Sequence, residues 1–353
     1  MLISVIGIIV VLGILIFVHE SGHFIAAKIM GVRVEKFSMG FGPKLLAKRA
    51  GKTEYRLSLI PLGGYVKLAG EQMDEQKAAE PWEFFGKKPW RRAIILAAGP
   101  FMNFLLAWVI FSSVLYLGSP VYKAVIGEVK AGEPAQTAGL IPGDKVLFID
   151  DKRIENWPGL AATIYQSPGE KLSFNIERDG RIINLDITPR IEDEIDPLKG
   201  KVSKGLIGIL PDAEEIYYHR EPLPAALIKG TGQTLTLTKM IYIGLWRMVS
   251  GKISVRHLGG PILIAQLTAQ QIKIGLLPLL TFLALISVNL AVINLLPIPI
   301  LDGGHLMFLA AEKIKGRPLS VKAQELAQMV GLYILVAIML FATYNDIMRA
   351  FVK

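Results

Sequence analysis

The chain contains no cysteine and only five histidines. The first absence removes disulfides and thiolate ligands, and leaves imidazole and carboxylate as the strong ligands for a transition metal. Charge is missing in a patterned way. Lys, Arg, Asp and Glu are absent from 93–117, 274–301 and 326–345, and from 2–27 apart from Glu20. Each stretch can cross roughly 30 Å of hydrocarbon at about 1.5 Å per residue, so four membrane spans are predicted. The 52% hydrophobic content and a mean hydropathy of +0.44 agree, while 20% charged residues leave room for water-exposed parts. The first run also lacks a basic n-region and a small-x-small cleavage site, so it reads as a retained span rather than a signal peptide.

The net charge is +9, which in a soluble chain would suggest nucleic acid. Its distribution excludes that reading. Residues 28–92 carry 14 Lys and Arg against 7 Asp and Glu, including "KKPWRR" at 87–92. Short basic loops face the cytoplasm and meet anionic lipid headgroups. The N-terminus, 118–273 and the C-terminus are then expected outside, and 303–325 inside. Residues 230–249 are moderately apolar but interrupted by Lys239 and Arg247. They are expected to form an amphipathic or surface helix rather than a fifth span.

Two regions read as β-structure. In 34–68, alternation in "YRLSL" and glycines at 40, 42, 63 and 64 suggest hairpins directly after the first span. Two placements are open: a soluble cytoplasmic hairpin, or one that dips back toward the bilayer, where backbone groups must be paired or bordered by protein. Farther on, "AVIGEV" (124–129), "DKVLFID" (144–150), "KLSFNIE" (171–177) and "RIINLDI" (181–187) look like short strands. The last two meet at Asp179-Gly180, a strong hairpin signal. With "AGLIPGDKVLFID" and Trp157, residues 121–190 resemble a PDZ domain of the bacterial protease type. That resemblance implies binding of peptide C-termini or strands beside a sheet edge. Residues 191–273 are expected to be an outside linker carrying the amphipathic helix.

Inside the first span, His19, Glu20 and His23 form H-E-x-x-H. Residues four apart share a helix face, so both imidazoles can bind one Zn²⁺. Glu20 can then take a proton from the water that zinc activates. Ionisable groups within a membrane are costly and are expected to be paired, metal-bound or functional. A third ligand should come from another span at the same depth. Asp302 is the first acid after 28 charge-free residues. The first and third spans both run from outside to inside, so Asp302 and the HExxH are expected at the same cytoplasmic depth. His219 and His257 fall in the polar outside segment.

Here the chain resembles the site-2 protease family of intramembrane zinc metalloproteases, in the bacterial branch that includes the regulator of sigma-E protease. The residues that carry the resemblance are the HExxH, then Asn294, Pro297, Pro299, Leu301, Asp302 and Gly303 of "NLLPIPILDGG", with "AAGPFMNF" (97–104) and "GGYVKL" (63–68). The implied fold is an α-helical polytopic membrane protein: spans within 1–120 and 274–353, a membrane-associated β-hairpin region, and an inserted PDZ-like α+β domain. The resemblance implies His19, His23 and Asp302 as zinc ligands, Glu20 as general base, and Asn294 as a contact to the substrate backbone. It makes the 60–68 hairpin, with Gly63, Gly64 and Tyr65, an edge that holds substrate. The implied cofactor is Zn²⁺. The implied partners are single-span membrane proteins such as membrane-bound anti-sigma factors or remnant signal peptides, and the implied place is the bacterial cytoplasmic membrane. Some members of the branch carry two PDZ domains and this chain shows one, which puts a paired gate in doubt. His305 is assigned a structural role. The inserted domain, which holds no histidine, is expected to filter substrates rather than perform chemistry. The competing readings are another membrane zinc hydrolase, such as a prenyl-peptide protease, and a non-catalytic membrane scaffold presenting a PDZ domain.

Overall fold

The computed structural model describes residues 2–71, 79–196 and 200–351. The chain divides into two compact units, Met1–Val114 with Ala226–Lys353, and Leu115–Ala225. The first opens with helix α1 (Leu2–Ile29), strands β1 (Val34–Ala50) and β2 (Thr53–Leu68), and helix α2 (Pro89–Leu117). The inserted unit contains β3 (Ser119–Tyr122), β4 (Ile126–Val129), α3 (Pro134–Thr137), β5 (Lys145–Ile149), β6 (Lys152–Arg153), α4 (Trp157–Tyr165), β7 (Leu172–Arg178), β8 (Arg181–Ile187), β9 (Arg190–Asp196), β10 (Gly200–Leu206), β11 (Ile209–Pro211) and β12 (Ile216–His219). The first unit then resumes with α5 (Leu223–Val249), α6 (Pro261–Ile274), α7 (Leu276–Asn294), α8 (Asp302–Lys315) and α9 (Val321–Phe351).

Among the described residues, four helical stretches are long and apolar enough to cross a membrane: Gly7–Ile29, Pro89–Leu117, Leu276–Asn294 and Val321–Arg349. They correspond to the four charge-free runs, and the chain is a membrane protein. Val11 and Leu15 of α1, Ala107, Ile110 and Phe111 of α2, and Leu283, Ala284 and Val288 of α7 bury one another in the bundle core. Close crossing of α1 and α2 depends on a missing side chain, because a Cβ on Gly22 would stand 2.2 Å from the Ala98 carbonyl oxygen.

Helix α5 is not one of the four. Near its start the Trp108 indole N–H of α2 donates to the Leu227 carbonyl (3.3 Å) and the Thr231 hydroxyl (3.0 Å). Gly230 packs directly on Ser112. Beyond its end, Asp346 of α9 accepts from the Gly260 and Leu263 amides at 3.0 and 2.9 Å and so caps α6, whose own N-cap has no side chain. Both places lie at the ends of α2 and α9 remote from His23 and from the α7–α8 turn. Leu237, Ile241 and Leu245 of α5 pack against the bundle core between these two places.

The pair β1–β2 folds back on itself. Positive φ at Gly40 and Gly42 (89° and 83°) bends β1, a conformation that glycine adopts without strain. Lys36–Met39 is consequently flanked on both sides, by Gly64–Lys67 and by Glu54–Leu57, while Leu46–Ala50 pairs with Thr53–Leu57. The spatial order of segments is 64–68, 34–39, 53–58, 44–50. This sheet stands against α1. Phe37 meets Phe17 and Phe24 with ring centroids 6.0 and 5.2 Å away, and Lys28 donates to Thr53 at 3.1 Å. At the other end Gly64 lies beside Ile16 and Glu20. From Lys28 to Ile16 is a rise of roughly 18 Å along α1, at about 1.5 Å per residue. The sheet thus runs alongside the apolar span rather than standing free of it. Its exposed Phe41, Leu45, Leu46, Leu59 and Ile60 suit hydrocarbon better than water.

In the inserted unit, β6-β5-β7-β8 form a four-stranded sheet, packed with α3 and α4 around Ile126, Leu160, Phe174 and Ile176. Asp179 and Gly180 both have positive φ (50° and 75°), the conformation an Asp-Gly hairpin turn requires. The unit extends past 121–190. Strand β11 pairs with β4 and β12 with β3, while β9 and β10 form a ribbon of their own. These strands come from the first part of the segment expected to be linker. The sequence "RIEDEID" of β9 hides its strand character, since acids occupy most of its positions.

Candidate metal centre

Helix α1 carries the two histidines on its penultimate turns, with rings edge to face and centroids 4.9 Å apart. Helix α7 stops at Asn294, because Pro297 and Pro299 cannot continue it. The chain reverses through short turns, Ile298 N–H to Leu296 and Leu301 N–H to Ile298, and α8 starts at Asp302. The Leu296 and Ile298 carbonyls are taken by these turn bonds. The reversal is tight enough to exclude side chains: a Cβ on Gly303 or Gly304 would lie 2.3 Å from the Leu295 oxygen or 2.1 Å from the Ile298 oxygen.

This turn brings Asp302 to the imidazoles. Its carboxylate oxygens lie 3.2 Å from His19 Nε2 and 3.4 Å from His23 Nε2, and the two Nε2 atoms are 3.3 Å apart. A tetrahedral ion with bonds of about 2.0–2.1 Å has ligand edges of roughly 3.3–3.4 Å, so the three atoms stand at the spacing zinc requires. Among the described residues these three side chains are the one cluster of histidine and carboxylate able to hold a metal ion. Glu20 stays outside the trio. It lies against Gly64. The sheet segment holding Gly63, Gly64 and Tyr65 therefore borders the same space. Gly64 has no room for a side chain, because a Cβ would meet the Ser38 oxygen at 2.9 Å. Asn294 places its amide 3.5 Å from His19 Nε2.

Helix α2 supplies the surroundings that the sequence did not reveal. His23 Nδ1 donates to the Ile95 carbonyl at 2.8 Å. Asn103 lies 3.2 Å from His19 Nδ1. Gly99 sits between, and a Cβ there would fall 2.3 Å from His23 Nε2. Gly99 and Asn103 belong to the "AAGPFMNF" stretch, but only their polarity and small size in an apolar span mark them. The Ile95 carbonyl carries no sequence signal at all.

His305 follows Asp302 by one turn and is not part of the trio. Its ring packs edge-on against Phe308 at 5.9 Å, and burial holds it below the ordinary imidazole range. It lines a cavity of about 30 Å³ with Phe85, Leu309 and the buried Arg92–Glu312 ion pair, which ties α2 to α8. His219 bonds to Glu221 in the inserted unit, at 2.9 Å. His257 belongs to a short 3-10 turn before α6.

The sequence matches Peptidase family M50 over residues 7–338. A candidate zinc metalloprotease of Agrobacterium fabrum is 36% identical, over 97% of this chain and 95% of the relative. The zinc metalloprotease RasP of Geobacillus kaustophilus is 31% identical, over 99% and 98% respectively. A candidate zinc metalloprotease of Clostridium acetobutylicum is 32% identical, over 95% and 94%.

Proposed function

Because the chain belongs to Peptidase family M50 and is a zinc metalloprotease, we propose that it cleaves single-span membrane proteins within or near their spans, with His19, His23 and Asp302 holding the Zn²⁺. The observation that carries this reading is the ligand trio at tetrahedral spacing, set in a membrane span and bordered by a sheet edge. Zinc, when bound, supplies Lewis-acid activation of water and of the scissile carbonyl. Glu20 takes a proton from the attacking water and delivers it to the leaving amine. Asn294, beside His19, steadies the substrate backbone. A substrate helix must be unwound before hydrolysis, and its freed amides need new partners. The Gly63–Tyr65 segment offers them as a strand edge, and its glycines let it approach Glu20 closely.

The basic excess of 28–92 supports a centre toward the cytoplasm with the inserted unit outside, and the family resemblance supports a bacterial inner membrane. In that unit, a groove of about 260 Å³ lies between β11 and α4, lined by Trp157, Leu160, Ile164 and Ile209. We assign it PDZ-type binding of a peptide C-terminus or strand, which filters substrates already trimmed outside. Anti-sigma-type proteins and remnant signal peptides fit this class. A prenyl-peptide protease would take its third ligand from a downstream glutamate, whereas Asp302 stands at that place here. A scaffold would not need Glu20 beside two ligands. The test compares Glu20→Gln with wild type, reconstituted with a single-span substrate. Cleavage is expected to vanish while bound zinc remains stoichiometric. Equal turnover of the two proteins would remove Glu20 from the chemistry.

A further inference from the structure

An imidazole that ligates a metal through Nε2 must carry its proton on Nδ1, and that proton needs an acceptor. His23 has one in the Ile95 carbonyl. For His19 the neighbour is Asn103, but the atom 3.2 Å from Nδ1 is the amide nitrogen Nδ2. Two N–H groups cannot bond each other. Meanwhile Asn103 Oδ1 is buried without any partner. A half-turn of the amide exchanges these two atoms at little steric cost, since oxygen and NH₂ are nearly the same size.

We infer that Asn103 presents its side-chain oxygen to His19 Nδ1–H and so fixes the His19 tautomer whose Nε2 is bare toward the metal. Asn103 is then a positioning residue, and it rests on the reading of His19 as a zinc ligand. Its surroundings fit the role. The residue is fully buried in an apolar span, where an amide is costly unless it has a task. Its own carbonyl accepts from the Ser287 hydroxyl of α7 at 2.8 Å, which fixes α2 at this level. One helix thereby orients both imidazoles, a backbone carbonyl serving His23 and a side-chain carbonyl serving His19.

The experiment measures zinc affinity, by chelator competition, for full-length Asn103→Leu, Asn103→Ala and Asn103→Asp, with thermal stability of the zinc-free proteins alongside. Leucine keeps the branching and the number of heavy atoms and removes the acceptor; aspartate keeps the acceptor. Leucine and alanine are expected to weaken zinc binding about 10- to 100-fold, the usual effect of losing a partner behind a metal ligand. Aspartate should bind zinc at least as tightly as wild type, because a carboxylate holds the same proton more firmly. Wild-type affinity in the leucine variant, or an aspartate variant as weak as leucine, overturns the inference. If alanine does not fold, leucine against aspartate decides. His19→Ala separates the premise: if it too keeps wild-type affinity, His19 is not a ligand, and the failure lies there rather than with Asn103.

Discussion

Replacing Gly99 with alanine adds one methyl group to α2 at the point where it meets the two imidazoles. The added carbon would stand 2.3 Å from His23 Nε2, 2.7 Å from its Cε1 and 2.9 Å from His19 Cε1, against ordinary contacts that begin at 3.4 Å. The His23 ring must therefore retreat by about 1 Å, the difference between 3.4 and 2.3. It cannot swing freely, because Nδ1 is tied to the Ile95 carbonyl of the same helix. Metal–ligand distances tolerate only about 0.2 Å, so the shift exceeds that allowance several-fold. A misplacement of about 1 Å costs on the order of 100-fold in rate. Helix propensity acts in the opposite direction, since alanine in place of glycine favours a helix by about 1 kcal/mol. The zinc-free variant should consequently fold, with overpacking and propensity partly offsetting each other. Zinc affinity and cleavage of a single-span substrate should both fall about 100-fold or more. Chelator competition, circular dichroism and a cleavage assay on one preparation decide the matter. A Gly99→Ala protein with wild-type zinc affinity and turnover would show that the imidazoles are not held where α2 presses on them.

Two further outcomes are expected, one at the centre and one in the inserted unit. Asp302→Asn should weaken zinc binding by more than the roughly 10- to 100-fold typical of outer-shell changes, with Asp302→Ala as the control for an asparagine that still ligates; full zinc and activity in both would assign the third ligand elsewhere. In the inserted unit, Arg178→Ala should destabilise by about 3 kcal/mol, because it strips two 2.7 Å bonds from Asp144, which is fully buried. Hydrogen exchange of the β5–β7 amides in the full-length chain would read this loss, and a change below about 1 kcal/mol would mean water replaces the guanidinium there.

Features written in one short stretch were legible in the sequence. The spans are bare of charge, and Asp179-Gly180 dictates its own turn. His19 and His23 share a helix face by spacing alone. Asp302 stands out because it ends a charge-free run. What escaped was distributed or negative. The acidic β9 lacks the alternation that betrays a strand. Strands β11 and β12 are three and four residues long, and pair across most of the inserted unit. The double flanking of Lys36–Met39 depends on a bend at Gly40 and Gly42 that local pattern does not reveal. At the centre itself, α2 contributes a backbone carbonyl, an absent side chain and a buried amide, whose roles a residue-type pattern does not announce.

Helix α9 shows little burial along its middle. Among its described side chains the buried positions are Gly331 and then Ala342, Asn345 and Asp346. Its charge-free part, 326–345, is 20 residues long, roughly 30 Å at about 1.5 Å each and so about the thickness of the hydrocarbon core. The helix is held at two levels: Asp346 caps α6 toward its end, and Gly331 packs against Pro299 and Ile300 nearer its start. Ile300 is two residues before Asp302. A side chain added at Gly331 would meet the Ile300 nitrogen at 3.2 Å and press on the turn that carries the carboxylate.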